Sequence, residues 1–462
     1  MAINDCRKTL QNKFLASFTT HRHIAPLANL RIVFGAIMLY STIRFICKGW
    51  IADFYVQPKF HFTFYGFSWI HPFSEIGMYT LFFLMTISSL FIMLGFFYRI
   101  AIVTFLLSFT YVELIDKTFY LNHYYFISIF SFLMILVPAH RYFSLDVLRK
   151  PSLKITQVPA WVITIFKLQL LLVYFYAGLS KLTYDWLFEA MPLKIWLPAN
   201  ASLPLVGYFL DKIWVAYLFS WFGAVFDLSI GFLLLKKSTR KPAYFFVVLF
   251  HVFTGWFFKI GMFPYIMICV TTIFFSEDFH IKLIKNIRSI FSKTSSENNL
   301  QLNINPLKQK VIYALLIVYF VLQLLIPFRF LLYPGKLYWT EEGYRFSWRV
   351  MLMEKGGTAF FYVKDALTGK QSEVINSHFL TPMQEKMMAT QPDMILQYAH
   401  YLKDEYEKKG VHNPIVTTEC YVTLNGSGSR LFIDSTVDLA KENESFLPNK
   451  WVLSFQQKNN SK

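Results

Sequence analysis

Residues 173–186 read VYFYAGLSKLTYDW and close an apolar run that begins near Trp161. A helix needs about 20 consecutive apolar residues to cross a hydrocarbon core of ~30 Å, and residues 160–181 supply that length. The pattern therefore predicts a membrane-spanning helix. Lys181 stands in its last turns, where a cation costs free energy unless it reaches water or has a specific role.

The composition also indicates a membrane protein. Of the 462 residues, 55% are hydrophobic and only 16% are charged, which is too few charges for the surface of a soluble chain of this size. About nine apolar runs, including residues 160–181, approach the length of a membrane span. They lie near 24–46, 76–97, 100–115, 119–138, 160–181, 213–235, 242–258, 260–275 and 311–332. The predicted fold is mainly α, a polytopic membrane helix bundle.

Basic residues between the spans predict how the bundle is oriented. If the N-terminus is cytoplasmic, about 19 Lys and Arg residues lie on the inner side and about 6 on the outer side, as the positive-inside rule requires. This orientation accounts for the net charge of +17 without nucleic acid as a partner. We predict an integral, multi-pass protein in contact with membrane lipid, with a cytoplasmic N-terminus and an extracytoplasmic C-terminal part.

The residue pattern changes after about residue 333. Residues 358–374 and 419–435 alternate apolar and polar side chains around glycine and asparagine, which is typical of strand–turn–strand units. Residues 383–410 between them predict one or two helices that end at Gly410. We therefore expect a membrane domain over 1–332 and a small extracytoplasmic α+β domain over 333–462. Residues 277–309 predict an inner loop that begins with an amphipathic helix.

The residues around Lys181 allow two interpretations of this lysine. In the first, its methylenes lie in lipid and its ammonium reaches the membrane interface. In the second, burial favours the neutral amine, which can act as a general base. Gly178 and Ser180 would let another helix or a flat ligand approach closely. Asp185, four residues further on, could instead pair with Lys181 across one helical turn and hold it charged.

Other polar residues lie in or beside the spans. Asn122 and His123 are expected about one turn into the fourth span, and His251 lies inside the seventh. Unpaired polar groups are costly in an apolar setting, so each must hydrogen-bond another helix or face a polar pocket. The stretch GYRFSWRVM at 343–351 is an aromatic belt or part of a site at the outer interface.

Under one topology, most of these residues are near the outer ends of their spans. Lys181, the Asn122–His123 pair and residues 343–351 are therefore expected to converge, while His251 lies deeper. Metal binding is not expected, because no His, Asp or Glu pair within a span has the spacing of metal ligands.

Five stretches of the chain resemble the vitamin K-dependent gamma-carboxylase family, whose membrane part is also called the HTTM domain. They occur in the family's order at similar spacing and extend over most of the chain. These stretches are LIDKTFYLNHYY (114–125), VYFYAGLSKLTYDW (173–186), FHVFTGWFFKIGMFPYIM (250–267), YRFSW (344–348) and SRLFIDSTVD (429–438).

The resemblance implies an enzyme that oxygenates reduced vitamin K, a naphthoquinol such as menaquinol or phylloquinol, with O2. The strong base formed removes a γ-proton from a glutamate of a peptide or protein, and the carbanion takes up CO2. In the family pattern Lys181 deprotonates the quinol, and Asn122 and His123 match its Asn–His pair. This agrees with the second interpretation of Lys181, because a dry pocket favours a neutral amine and protects a base too strong for water.

The resemblance also implies substrate-binding positions, which are His251, Tyr344, Met351, Arg430 and Tyr120. Met351 stands where animal members have the second of two methionines, and Tyr120 replaces their tryptophan. Arg430 matches an arginine linked to the glutamate carboxylate, although the residues alone also allow an ordinary surface arginine. Three alternatives stay open: quinol epoxidation without carboxylation, a non-catalytic quinone-binding protein, and a transporter. The absence of an internal sequence repeat argues against the transporter.

Overall fold

The computed structural model describes residues 18–204, 206–258, 260–291, 300–302 and 305–455. In this part of the chain, seven helices are long and apolar enough to cross a membrane, and Asn122–Leu136 and Phe263–Phe274 are two shorter apolar helices. Together they fall on the nine predicted spans, so the prediction of a membrane helix bundle is confirmed. Lys259, counted among the outer basic residues, lies outside the described residues, as do residues 1–17.

The bundle contains the apolar helices and one amphipathic helix, numbered here in chain order. They are α1 (Ala25–Cys47), α2 (Glu75–Leu94), α3 (Tyr98–Ile115), α4 (Asn122–Leu136), α5 (Trp161–Leu179), α6 (Ile213–Leu235), α7 (Arg240–Phe258), α8 (Phe263–Thr271), α9 (Glu277–Phe291) and α10 (Pro306–Leu325). Short helices in the connections are Leu145–Arg149, Tyr184–Leu187, Leu193–Trp196, Gly207–Leu210 and Leu337–Thr340. Two short strands, β1 (His21–His23) and β2 (Gln157–Pro159), pair antiparallel.

The apolar stretch from 242 to 275 divides into two helices, as its glycine and proline indicate. Gly261 has a φ of 66°, a left-handed conformation that glycine adopts without steric cost. Pro264 stands in the first turn of α8, where its missing N–H leaves no helical hydrogen bond unmade. The turn between α7 and α8 therefore follows from these two residues.

Helices α5 and α6 pack closely because Gly178 has no side chain. A Cβ at Gly178 would lie 2.6 Å from the backbone nitrogen of Leu228 on α6, a distance that no real Cβ tolerates. Small residues at such a crossing let two backbones approach in a membrane. This close approach brings Asp227, the neighbour of Leu228, next to the end of α5.

The C-terminal part is a small α+β domain, as predicted. Within the described residues its sheet is antiparallel, in the order β4–β3–β5–β6, and two helices cover it. The strands are β3 (Lys355–Lys364), β4 (Gln371–Glu373), β5 (Ile415–Leu424) and β6 (Arg430–Leu431), and the helices are α11 (Pro382–Met388) and α12 (Pro392–Lys408). Alternate residues of β3, namely Ala359, Phe361 and Val363, are buried, which is the period-2 pattern that the sequence shows.

The hydrophobic core of this domain continues into the loops at one end of the bundle. Phe62, Trp186 and Leu193 from those loops pack in the same cluster as Phe361 and Leu396. The C-terminal domain is therefore seated directly on the bundle.

Charged residues reinforce the joint between the two parts. Asp393 lies 2.7 Å from the Lys117 Nζ and 2.7 Å from the Arg345 Nη1. Burial alone would raise the pKa of the Asp393 carboxyl, but the Arg345 and Lys117 cations hold this pKa well below its ordinary value. We call Lys117, Arg345 and Asp393 the interface ion cluster. Next to it, Gln384 Nε2 donates to Asp116 Oδ2 at 2.9 Å.

Candidate active site

A cavity lies among helices α5 to α8 and is covered by the segment 344–351. It contains about 860 Å³ of space not filled by protein atoms, its mouth included. Most of its wall is apolar and aromatic, and the polar side chains that line it include Asn122, Lys181, Asp227 and His251. Binding sites for small molecules commonly combine such an apolar wall with a few polar groups.

Lys181 is directed into this cavity and is only 6% exposed. Helix α5 ends at Leu179, so Lys181 stands in the turn that follows. Its Nζ donates to Asp227 Oδ2 at 2.6 Å and to the Ala177 carbonyl at 3.2 Å. The interpretation of a snorkelling lysine is therefore wrong, because the ammonium is paired inside the protein.

Asp227 is a site residue that the sequence analysis missed. It lies within α6, is 4% exposed and lines the same cavity. The alternative in which Lys181 pairs with Asp185 does not occur either, since Asp185 Oδ2 accepts from the Lys336 Nζ at 2.8 Å. The helix ends before Lys181, so residues 181 and 185 do not share a helical face.

Asn122 links the cavity wall to the segment above it. It is the first residue of α4 rather than one turn inside the helix as expected. Its Nδ2 donates to the Arg349 carbonyl at 2.8 Å, and its Oδ1 accepts from the Tyr120 hydroxyl at 3.1 Å. Tyr120 in turn accepts from the Phe346 N–H at 2.7 Å, while its ring lines a neighbouring crevice. Tyr120 therefore acts on the cavity through Asn122 and the segment, without lining it.

The two histidines differ in their relation to the cavity. His251 is 2% exposed and lines it, with Nε2 at 3.0 Å from the Tyr174 hydroxyl. The buried Nδ1 of His251 has no hydrogen-bond partner among the described residues. His123 does not line the cavity, but its ring centroid lies 6.0 Å from that of Phe263, which does.

The segment 344–351 covers the cavity in a strained conformation. Phe346, Trp348 and Met351 have φ values of 61°, 60° and 55°, a region that such residues occupy only when their surroundings enforce it. Asn122 and Tyr120 provide part of that enforcement through the hydrogen bonds described above. Trp348 and Met351 line the cavity, and the buried Nε1 of Trp348 has no partner among the described residues.

Besides Tyr120, two further predicted substrate-binding residues lie away from the cavity wall. The Tyr344 hydroxyl donates to the Arg349 carbonyl at 3.3 Å, and its ring packs against the C-terminal core. Arg430 Nη1 donates to Ser427 Oγ at 2.7 Å and to the Gly428 carbonyl at 3.3 Å, within its own turn. The structure thus brings Asn122, Lys181, His251 and Met351 to one cavity, with His123 beside it.

The polar set at the cavity suits proton exchange better than metal binding. Among the described residues, no group of three or more His, Cys, Asp and Glu side chains could hold a metal ion. A Lys–Asp pair inside an apolar wall can give and take a proton, and the low dielectric strengthens its electrostatic effect on a ligand.

Two family models match the chain. The model described as HTTM domain matches residues 20–279, which is more than half of the chain. The model described as vitamin K-dependent gamma-carboxylase, lumenal domain, matches residues 308–458. No solved structure matches the chain significantly. The resemblance predicted from five motifs is confirmed, and the chain belongs to the vitamin K-dependent gamma-carboxylase family.

Proposed function

We propose that the cavity binds a reduced naphthoquinol and that Lys181 removes a proton from one of its hydroxyl groups. The observation that carries this proposal is the buried Lys181–Asp227 pair at 2.6 Å, which faces an aromatic cavity inside a membrane bundle. An ionisable pair in such a position is costly, and in membrane proteins it usually marks a functional site.

The residues present fit a naphthoquinol. Its flat apolar ring matches the aromatic wall that includes Phe250, Phe263 and Trp348. Its hydroxyl groups would meet Lys181 and the two buried nitrogens without described partners, His251 Nδ1 and Trp348 Nε1. A buried polar atom without a partner costs about 1–3 kcal/mol, so a ligand that satisfies these nitrogens would bind with a corresponding gain.

The chemistry follows from what each group does at this cavity. When bound, the quinol supplies, together with O2, the strong base that the family resemblance implies. Lys181 takes the hydroxyl proton, and the apolar walls exclude water from the reacting atoms. Asn122 holds the segment 344–351 over the cavity, and His251 orients a ligand oxygen. The family resemblance then implies proton removal from a peptide glutamate, followed by addition of CO2.

The position of the cavity fits a substrate that arrives from outside the membrane. We keep the orientation given by the basic residues, with a cytoplasmic N-terminus and an extracytoplasmic C-terminal domain. We also keep the division into a membrane domain over 1–332 and a second domain over 333–462. In this arrangement the glutamate peptide would approach through the joint between the two domains.

Quinol epoxidation without carboxylation is the second candidate function. It is favoured by Arg430, which hydrogen-bonds within its own turn and does not line the cavity. Without this arginine, none of the described side chains that line the cavity, apart from Lys181, carries a permanent positive charge for the glutamate carboxylate.

An assay with purified protein, reduced vitamin K and O2 tests the proposal, with epoxide detected by chromatography. We expect O2-dependent epoxide from the wild type and none from Lys181→Ala. Lys167→Ala is the matched control, because Lys167 lies on the same helix but does not line the cavity. Full epoxide formation by Lys181→Ala would contradict the role of Lys181. Incorporation of labelled CO2 into a glutamate peptide then separates the two candidate functions.

A further inference from the structure

We infer that Asp227 finally holds the proton removed from the naphthoquinol, and that Lys181 relays this proton and remains beside the ionised oxygen as a cation. The inference rests on the proposed function and adds a second proton-handling residue to it. Lys181 and Asp227 then handle the proton together, whereas the sequence analysis considered Lys181 alone as an uncharged amine.

Asp227 is the nearest proton acceptor to Lys181. Its Oδ2 lies 2.6 Å from the Lys181 Nζ, whereas the other described acceptor for that nitrogen is the Ala177 carbonyl, which cannot keep a proton. The other titratable side chains that line the cavity in the described chain are Tyr174 and His251. These two hydrogen-bond each other at 3.0 Å, so they are separate from the pair.

Space for a ligand lies directly beside the amine. Gly223 stands one helical turn before Asp227 on α6, and a Cβ there would come only within 3.8 Å of the Lys181 Cε. The absence of a side chain at this position leaves the flank of Lys181 open to the cavity. A quinol hydroxyl can therefore approach the Nζ while the carboxylate of Asp227 still accepts from it.

Charge balance decides where the proton must end. A neutral Lys181 beside an ionised Asp227 would leave one unpaired charge buried at the cavity, which is strongly unfavourable. The resting pair is therefore balanced, and its 2.6 Å contact is that of an ammonium with a carboxylate.

The path of the proton follows from this charge balance. The O–H bond of the quinol breaks, its proton goes to Lys181, and one proton of Lys181 goes to Asp227 Oδ2. The products are an ionised quinol oxygen, an ammonium and a carboxylic acid, so the total charge is unchanged. Because the ammonium already holds its full number of protons, Asp227 is the group that is protonated when the quinol is ionised.

Difference infrared spectroscopy under anaerobic conditions tests this inference on the wild-type protein. Reduced vitamin K is added without O2, and its ionisation is followed by absorbance in the same sample. We expect a carboxylic-acid C=O band that appears in step with quinol ionisation and shifts in D2O. The band should be absent in Asp227→Asn, and in Asp227→Glu it should return at a different frequency.

The outcomes separate this inference from the proposed function. Ionised quinol without a new carboxylic-acid band overturns the role of Asp227 and leaves Lys181 as the sole base. A band that persists in Asp227→Asn also overturns it, because another carboxyl group then holds the proton. Wild-type protein that binds no quinol, or binds it without ionising it, overturns the proposed function and this inference together. Since the decisive spectrum is that of the wild type, a poorly folding variant does not prevent the test.

Discussion

Two groups of paired cations and carboxylates in the described part of the protein differ in their surroundings. In the bundle, Lys181 and Asp227 pair one to one beside an open cavity. At the joint between the domains, Asp393 is shared by Lys117 and Arg345, and none of these three residues lines the described cavities. An ion pair can take part in chemistry only where a ligand can reach it, so we propose catalysis for the first group and structural support for the second.

The largest expected effect comes from removing one charge of the cavity pair. We expect Lys181→Met to lower the free energy of unfolding by about 3–5 kcal/mol, because Asp227 is then left buried without its cation. The double variant Lys181→Met/Asp227→Leu removes both charges and should be about as stable as the wild type. Unfolding in detergent measures the stabilities, and neither variant should form epoxide. A double variant as unstable as the single one would show that the pair is needed for packing.

Removing the shared carboxylate should affect stability more than chemistry. We expect Asp393→Asn to lower the free energy of unfolding by about 2 kcal/mol, because two cations lose a charged hydrogen-bond acceptor. Thermal unfolding is the measurement, and the exposed Asp404→Asn on the same helix is the control. If Asp393→Asn stopped epoxide formation and left stability unchanged, the roles assigned to the two groups would be reversed.

Filling the space beside Lys181 tests whether access from the cavity distinguishes the Lys181–Asp227 pair from the interface ion cluster. Gly223→Leu places a side chain next to the Lys181 Cε and should raise the KM for the quinol about tenfold, which is ~1.4 kcal/mol of binding free energy. Gly223→Ala is the control, because its Cβ would make ordinary contacts at 3.7 Å and 3.8 Å. An unchanged KM for Gly223→Leu would place the quinol elsewhere.

The smallest expected effect is the loss of the stability that the interface ion cluster contributes when the pH is lowered. The Arg345 and Lys117 cations hold the pKa of Asp393 below its ordinary value, so its contribution to stability is complete above about pH 4. It is lost as the pH falls from there towards the folded-state pKa. We expect the difference in melting temperature between wild type and Asp393→Asn to shrink below about pH 4. A difference that stays constant down to pH 3 would contradict this account of the cluster.

The sequence predicted those parts of the structure that depend on local pattern. The apolar runs gave the spans, and alternation around Gly369 and Gly426 gave the hairpins of the C-terminal domain, because hydropathy and period-2 patterning act within one element. The motif resemblance also directed attention to Lys181, Asn122 and His251, which do line the cavity.

The features that the sequence did not predict depend on contacts between residues far apart in the chain. Asp227 pairs with Lys181 across 46 positions, and no local spacing reveals that contact. One signal was present, since an Asp inside an apolar span is a functional candidate by default. That signal alone does not separate a functional residue from a structural one. Arg31 is also buried in a span, and it donates to the carbonyls of Ala139 and Ile92 in a structural role.

The most direct test of the account is a determined structure with reduced naphthoquinol bound in the absence of O2. The account predicts a ring beneath Trp348, with one oxygen within hydrogen-bond distance of the Lys181 Nζ and Asp227 still on the far side of that nitrogen. A quinol bound in the crevice beside Tyr120, with Lys181 surrounded by ordered water, would contradict it.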